Sequence, residues 1–297
     1  MDLLQNCTLC PRECGVNRKK GSVGYCGMTD TLVVARAAAH MWEEPCISGS
    51  NGSGTVFFSG CSLGCCFCQN YNISKKLKGK QISIPQLAEI FLQLQQDGVH
   101  NINLVTPSHF SVQIISALDI ARKRGLKIPV IYNSSGYDSV ETLRLLQGYI
   151  DVFLPDFKYF SPELSMKYSA CKDYFEYASK AIAEMIRQVG QPKFSGGLIT
   201  RGVIVRHLLL PGCLEDSKNV IKFLSDNFKD QIFISIMSQY TPVVKQQVNT
   251  ELNRRVTAAE YNELIDYAIS LGIENGFVQD GKSADKSFIP DFDYGEV

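Results

Sequence analysis

The chain is short of several things. Among 297 residues there are four histidines and a single tryptophan, Trp42, and 30 Lys and Arg stand against 30 Asp and Glu. With no excess charge and no basic stripe, nothing marks a surface for nucleic acid or anionic lipid. No apolar run approaches the ~20 residues needed to cross a bilayer. The first residues, Met1-Asp2-Leu3-Leu4-Gln5-Asn6, lack the basic flank and apolar core of a signal peptide. There is no internal repeat and no low-complexity segment. The expectation is a soluble cytoplasmic protein, long enough for one α/β barrel or two ordinary domains, with neither nucleic acid nor membrane as a partner.

Cysteine is what the chain has in quantity. There are eleven, an odd number, and nine fall at or before residue 68. Such crowding reads as metal ligation rather than a disulfide framework. One set lies in Ser59-Gly60-Cys61-Ser62-Leu63-Gly64-Cys65-Cys66-Phe67-Cys68-Gln69-Asn70, directly after the apolar run Thr55-Val56-Phe57-Phe58. Three thiolates, Cys61, Cys65 and Cys68, can hold three corners of a cubane iron–sulfur cluster, since soft sulfur suits iron–sulfide chemistry. A fourth cysteine at regular spacing is missing, which leaves one iron open, much as catalytic zinc sites keep a free position. Gly60 and Gly64 let the backbone bend around a cluster, and Cys66, between the ligands, reads as packing. A zinc knuckle or a redox-inert buried cluster is the alternative.

The second set is Cys7-x2-Cys10-x3-Cys14-x11-Cys26, interleaved with Pro11, Gly15, Gly21, Gly24 and Gly27. A segment so poor in apolar residues cannot fold on a core of its own, and metal ligation is the usual remedy. Four thiolates close a site, which favours a structural role; zinc and an iron–sulfur cluster both fit, zinc slightly better. Cys46 can substitute as a ligand. The bland alternative is four reduced surface thiols.

From residue 55 strands and helices alternate. Strands are expected at 56–59, 101–105, 129–132, 151–154, 203–210 and 232–237, with a short last one at 276–279. Helices are expected at 84–96, 108–124, 139–146, 162–169, 174–189, 215–228 and 258–271. Residues 31–42 read as a strand leading in, and the turn-forming run at 47–54 places a boundary. Residues 1–54 then form a cysteine-rich N-terminal segment and 55–297 a barrel with a C-terminal tail. Six strand–helix units with short links imply parallel strands and right-handed crossovers, too few to close an eight-stranded barrel. The predicted fold is an open, partial (β/α)6 TIM-like barrel, with its chemistry at the C-terminal strand ends. The tail carries Asp280, Asp285, Asp291 and Asp293, either covering the site or forming a solvated acidic end.

The Cys61-x3-Cys65-x2-Cys68 loop after a first strand, with an aromatic residue before its last cysteine, resembles the radical S-adenosylmethionine (SAM) superfamily. Gln69-Asn70-Tyr71 resembles the branch related to pyruvate formate-lyase activating enzyme, and Asn70 is carried over as a cofactor-binding residue. Cys7-Thr8-Leu9-Cys10-Pro11-Arg12 is similar to the start of one subgroup of that branch. At the second strand end the family's Gly-Gly-Glu type motif is replaced by Thr106-Pro107-Ser108-His109, so Thr106 and backbone carbonyls are the candidates for the SAM amino group. His109 is either functional or a helix N-terminal residue. The third ends in Asn133-Ser134-Ser135-Gly136, similar to a Thr-Asn-Gly segment lying along SAM; a turn capping the next helix is the alternative.

Pro155-Asp156-Phe157-Lys158 matches the family's Asp-x-Lys, and residues i and i+2 of a strand share a face. These two are the catalytic candidates: Lys158 can pair with the SAM carboxylate, while Asp156 orients that lysine or touches SAM itself; a plain surface ion pair is the alternative. Arg206, inside an apolar strand, requires an anionic partner, either that carboxylate or a neighbouring acid. Gln239 and Tyr240, at the sixth strand end, can face substrate. The resemblance implies an oxidoreductase that binds a [4Fe–4S] cluster and SAM and forms a 5′-deoxyadenosyl radical. It further implies a one-electron donor such as flavodoxin or ferredoxin and a protein substrate, a glycine of a glycyl radical enzyme. Modification of another peptide or small molecule, or electron transfer without SAM cleavage, remain as alternatives.

Overall fold

The computed structural model describes residues 3–243 and 245–278; Gln279 and the acidic tail from Asp280 onward lie outside the described residues. The elements follow in order: β1 Leu32–His40, α1 Pro45–Ser48, β2 Ser53–Phe58, α2 Tyr71–Ser74, β3 Lys80–Ile82, α3 Ile84–Gln96, β4 Ile102–Val105, α4 Ser111–Lys123, β5 Val130–Ser134, α5 Val140–Leu145, β6 Val152–Pro155, α6 Pro162–Ser169, α7 Tyr174–Val189, β7 Lys193–Ser195, β8 Leu198–Leu208, α8 Leu214–Phe228, β9 Phe233–Met237, α9 Ala258–Ser270 and β10 Gly276–Val278.

Local sequence sets the helix starts. Ser83 caps α3 with a reciprocal box, its hydroxyl taking the Gln86 N–H while Gln86 takes the Ser83 N–H at 2.8 Å, with Pro85 in the first turn. Leu87, Phe91 and Leu94 then recur at helical spacing and are buried. Thr257 and Glu260 repeat the device on α9.

The strands run in the order β10-β9-β8-β6-β5-β4-β2-β1-β3. From β2 to β10 every pairing along that path is parallel, while β1 is antiparallel to β2 and β3 to β1. Among the described residues the two ends of this path are not paired, so the structure is the open, partial TIM-like barrel expected. Pairing in register puts Val56, Leu104, Tyr132 and Phe153 in one row, buried in the main core that the helices cover. The next row, Phe57, Val105 and Asn133, faces inward.

Residues before 55 are built into this barrel. Six positions of β1 pair with β2. Cys46 and Ile47 of α1 enter the barrel among Ile131, Val152, Leu154, Ile199 and Ile204, forming an apolar floor. Cys46 is thus in the barrel floor, away from a place in the N-terminal cysteine set.

Three local expectations are corrected. Strand β5 runs two residues past 132, because Asn133 and Ser134 find register partners on β6 in Leu154 and Pro155; neighbouring strands override their weak strand propensity. Strand β8 starts at Leu198, extended by its hairpin partner β7. The 108–124 helix opens as a separate 3-10 turn, Ser108–Phe110.

Candidate metal and cofactor site

After β2 the chain turns at Gly60 and Gly64, with φ of +87° and +72°. Both lie in the left-handed region open to glycine. A Cβ on Gly60 would stand 2.6 Å from the Cys26 carbonyl oxygen. The loop then presents Cys61, Cys65 and Cys68 to one cavity of about 620 Å³. Backbone N–H groups of Leu63 and Gly64 aim at the Cys61 sulfur, and the N–H of Asn70 aims at that of Cys68. The Ser74 hydroxyl reaches Cys68 Sγ at 3.3 Å. Burial pushes the Cys61 thiol up and that of Cys68 to about 12; only a bound cation or cluster makes three thiolates comfortable here. Cys66 turns elsewhere, its sulfur 3.6 Å from Asn249 Nδ2. Phe67 packs edge-on against Tyr168 and Tyr240 and lines the cavity beside the three cysteines.

The same cavity gathers Asn70, Thr106, Asn133, Ser134, Asp156, Lys158 and Arg206, residues from four separate strand ends and the cysteine loop. Asn70 Oδ1 is buried without a hydrogen-bond partner. A buried acceptor left open at a cavity wall fits a ligand with donor groups, as the SAM amino group has. Thr106 adopts φ +59°, a left-handed conformation unusual for a β-branched residue. Such strain at a cavity wall is characteristic of ligand sites. Gly136 does not line the cavity; what comes close to it is the Asp156 carbonyl oxygen, which a Cβ at Gly136 (φ +75°) would strike. The Ser134 hydroxyl is taken by Asp138, which also receives Ser108 and Tyr132. That buried carboxylate holds the β5 end in place.

Lys158 Nζ lies 2.5 Å from Asp156 Oδ2, and its backbone N–H donates to Tyr174 Oη at 2.9 Å. Burial alone would lower the ammonium, but Asp156 and then Cys65 outweigh it and hold it above the usual lysine range. A permanent cation therefore stands beside the cluster cysteines. Arg206 is held by two carboxylates, Glu44 through Nε at 2.8 Å and Glu43 through Nη2. All three side chains are nearly buried, and Asn103 Nδ2 donates to Glu43 at 2.9 Å. Burial would raise the Glu44 carboxyl; Arg206 reverses that and keeps it below the usual range. Glu43 and Glu44 were not anticipated as cavity residues; the one signal was that Arg206 needed an anion.

His109 does not reach the cavity: it is buried, with Nε2 2.7 Å from the Ser59 carbonyl and Nδ1 unpartnered. The N-terminal cysteines also lie off the cavity. Cys7, Cys10 and Cys26 are buried and Cys14 is half-buried. Cys10 senses the charges of Cys26, Cys14 and Cys7, so the four stand together.

The sequence pattern of the radical SAM superfamily matches residues 55–224. The uncharacterised protein MJ0674 of Methanocaldococcus jannaschii is 30% identical over 279 residues, spanning 90% of this chain and 75% of that one. This chain belongs to the radical SAM superfamily, an enzyme class whose cofactors are a [4Fe–4S] cluster and SAM.

Solved structures share its fold. Methylornithine synthase PylB aligns with a TM-score of 0.51 at 14% identity, over 73% of this chain and 60% of that one. The FeFe-hydrogenase maturase HydG of Carboxydothermus hydrogenoformans gives 0.51 at 12% identity, over 77% and 54%. SuiB of Streptococcus suis, bound to a precursor peptide, gives 0.50 at 13% identity, over 74% and 46%. The chain thus spans about half the length of these structures. Among the described residues no helix is long and apolar enough to cross a membrane.

Proposed function

We propose that Cys61, Cys65 and Cys68 hold the cluster, that SAM lies in the cavity they face, and that this chain cleaves it reductively. One observation carries this reading. Three cysteines and the open Asn70 acceptor of one loop meet the Asp156–Lys158 pair of the β6 end at one cavity. When bound, the cluster and SAM together supply an electron and a scissile S–C5′ bond, giving methionine and a radical that takes hydrogen from substrate.

The chain's own residues bind and orient. Lys158, cationic and beside the cysteines, pairs with the SAM carboxylate, and Asp156 fixes its direction. Asn70 Oδ1 and the Thr106 carbonyl accept from the SAM amino group, in place of the carboxylate the family's usual motif would bring. Arg206, already held by Glu43 and Glu44, serves less as a SAM ligand than as the pin that keeps those two acids in the wall. Phe57, Phe67 and Tyr240 keep water from the reacting end.

The substrate we propose is a glycine in a protein or peptide segment inserted through the barrel mouth. Met41 and Trp42 stand exposed on the cavity rim, where they offer an apolar edge to an entering chain. The Gln69-Asn70-Tyr71 resemblance to the activating-enzyme branch supports the same class, and SuiB, a neighbour in fold, takes a peptide. A one-electron donor of the flavodoxin or ferredoxin class completes the reaction.

The test is anaerobic. The reconstituted protein, given dithionite and SAM, is assayed for 5′-deoxyadenosine, and a peptide carrying α-dideuterated glycine is then added. Product in the first assay supports cleavage, and deuterium in it supports the glycine substrate. Full iron with no 5′-deoxyadenosine would overturn the reading in favour of simple electron transfer.

A further inference from the structure

The N-terminal cysteines have a sulfur cradle of their own. The N–H of Arg12 aims at the Cys10 sulfur and that of Met28 at Cys26. The Tyr25 N–H reaches Cys14 Sγ at 3.2 Å. Arg18, with no exposed surface, brings Nη1 to 3.9 Å from Cys7 Sγ. A single Cβ placed on Gly24 would touch both the Cys14 and Cys26 sulfurs, at 3.4 and 3.7 Å. Backbone N–H donors and a buried guanidinium around the sulfurs are the partners that metal-bound sulfur keeps.

Two further facts separate a cluster from a single ion. Among the described residues no three Cys, His, Asp or Glu side chains stand close enough to share one metal ion. Yet Cys10 senses all three of its partners. A four-iron cube holds its ligand sulfurs further apart than a zinc ion does, and Cys61, Cys65 and Cys68 likewise form no single-ion group among the described residues.

The two sets also touch. Arg12, two residues after Cys10, donates to the Ser62 and Leu63 carbonyls at 3.0 and 3.1 Å, between Cys61 and Cys65. Its guanidinium stacks 3.9 Å from the Tyr25 ring, next to Cys26. The Cys26 carbonyl abuts Gly60, next to Cys61. Tyr25, at this contact, is itself exposed, as is Val23.

We propose that Cys7, Cys10, Cys14 and Cys26 hold a second [4Fe–4S] cluster that relays electrons one at a time to the cavity-facing one. A low-potential one-electron protein donor gives up one electron and the N-terminal cluster gains it. The same electron then passes to the loop cluster, returning the first to its resting state; no bond or proton moves. The relay rests on the function proposed above, whereas the site stands without it.

The experiment uses the full chain, reconstituted anaerobically with iron and sulfide. Wild type should carry about eight irons, and the Cys61/Cys65/Cys68→Ala and Cys7/Cys10/Cys14/Cys26→Ala variants about four each. In reduced wild type, electron paramagnetic resonance should show two interacting signals, only one of which SAM perturbs. That readout needs no variant and no turnover, so it survives a variant that fails to fold. About four irons in wild type, or zinc with the N-terminal set, would overturn the site.

For the relay, 5′-deoxyadenosine formation is driven by dithionite or by reduced flavodoxin. In Cys10→Ser and Cys14→Ser the flavodoxin rate should fall about tenfold further than the dithionite rate. Equal losses with both reductants would overturn the relay. If wild type binds eight irons but forms no product, the function proposed above fails while the second site stands.

Discussion

Two cysteine sites sit side by side in this chain, built alike and turned to different ends. Both wrap sulfur in backbone N–H groups and use left-handed glycines to make the turns. The loop set has three cysteines, and all three face a cavity rich in polar groups. The N-terminal set has four, none of them on that cavity, with a buried arginine closing one side. Ligand count and exposure, not the sulfur chemistry, separate an open site that can take a small molecule from a closed one that can only hold or pass charge.

The two sites also differ in what holds them. The loop set hangs from β2 and a barrel core with a full apolar complement. Around Cys7 the apolar cluster is small, Leu4 and Leu9 with Leu3, Val16 and Val112 against them, while Cys26 and Met28 reach the main core. One region is organised by its core; the other, under the proposal above, leans on its ligands as well.

The largest expected effect falls on the first side. Cys61→Ala, Cys65→Ala or Cys68→Ala should each lower 5′-deoxyadenosine formation by at least about 10³-fold, roughly 4 kcal/mol of barrier. Their urea midpoints should move little. An active loop variant would dissolve the distinction between open and closed sites.

Next is the polar pin of the barrel. Arg206→Leu strands Glu43 and Glu44 in a buried place, so it should cost about 4 kcal/mol of stability, read by chemical denaturation. If the cavity depended on its metal as the N-terminal set is argued to, metal-free and loaded protein would respond differently; the expected cost is the same in both.

Acid comes third. His109 joins the two sites, since Arg18 Nη1 donates to its carbonyl at 2.6 Å and its Nε2 meets Ser59. His207, far from that seam, donates Nδ1–H to Phe157 O and has Nε2 unpartnered. Burial depresses both, His109 to about 3 and His207 to about 4. Groups depressed on folding lend their stability in full above the unfolded value near 6.5, and lose it as pH falls toward the folded values. The unfolded chain should gain close to two protons as pH falls from 7.5 to 5.5, so about 2.7 kcal/mol is lost over that interval. Denaturation at pH 7.5 and 5.5 measures this, and His207→Gln should halve the slope.

Gly60→Ala sharpens the contact between the sites. Its Cβ would stand 2.6 Å from Cys26 O and 2.7 Å from Met28 Cγ at φ +87°. A cost of about 2 kcal/mol is expected, together with protease cutting within residues 3–30 before the barrel is cut. Uniform loss of stability would mean that the two regions fold as one.

Much of this was legible because it is local. Ser83, Gln86 and Pro85 lie within four residues and set the start of α3, and Cys61, Cys65 and Cys68 set a loop by spacing alone. Asp156 and Lys158 reach one cavity because the alternation of β6 carries on past its end, where Asp156 bridges Arg206 and Phe157 turns into the core. What could not be read lies at long range. Arg206 meets Glu44 across 162 positions of sequence, and no pattern around either foretells the pairing. Gly136 shows the limit of a local rule: glycine signals a close approach, but only the fold reveals that the Asp156 carbonyl makes it. Strand pairing likewise drew Asn133 and Ser134 into β5 against their propensity.

The smallest effect is expected at Thr106, and its sign carries the information. A threonine at φ +59° costs about 1–2 kcal/mol relative to glycine in the same conformation. Glycine in turn makes the unfolded chain more flexible, which takes back a little under 1 kcal/mol. Thr106→Gly should therefore raise stability by about 1 kcal/mol or less. If the strained backbone aims a carbonyl at the SAM amino group, a freer residue holds that aim less well, and SAM should bind about threefold more weakly by calorimetry. Stability and affinity moving in opposite directions would mean that the strain serves the ligand. Were both to rise, Thr106 would be an ordinary turn residue, and Asn70 would be left as the acceptor for the amino group.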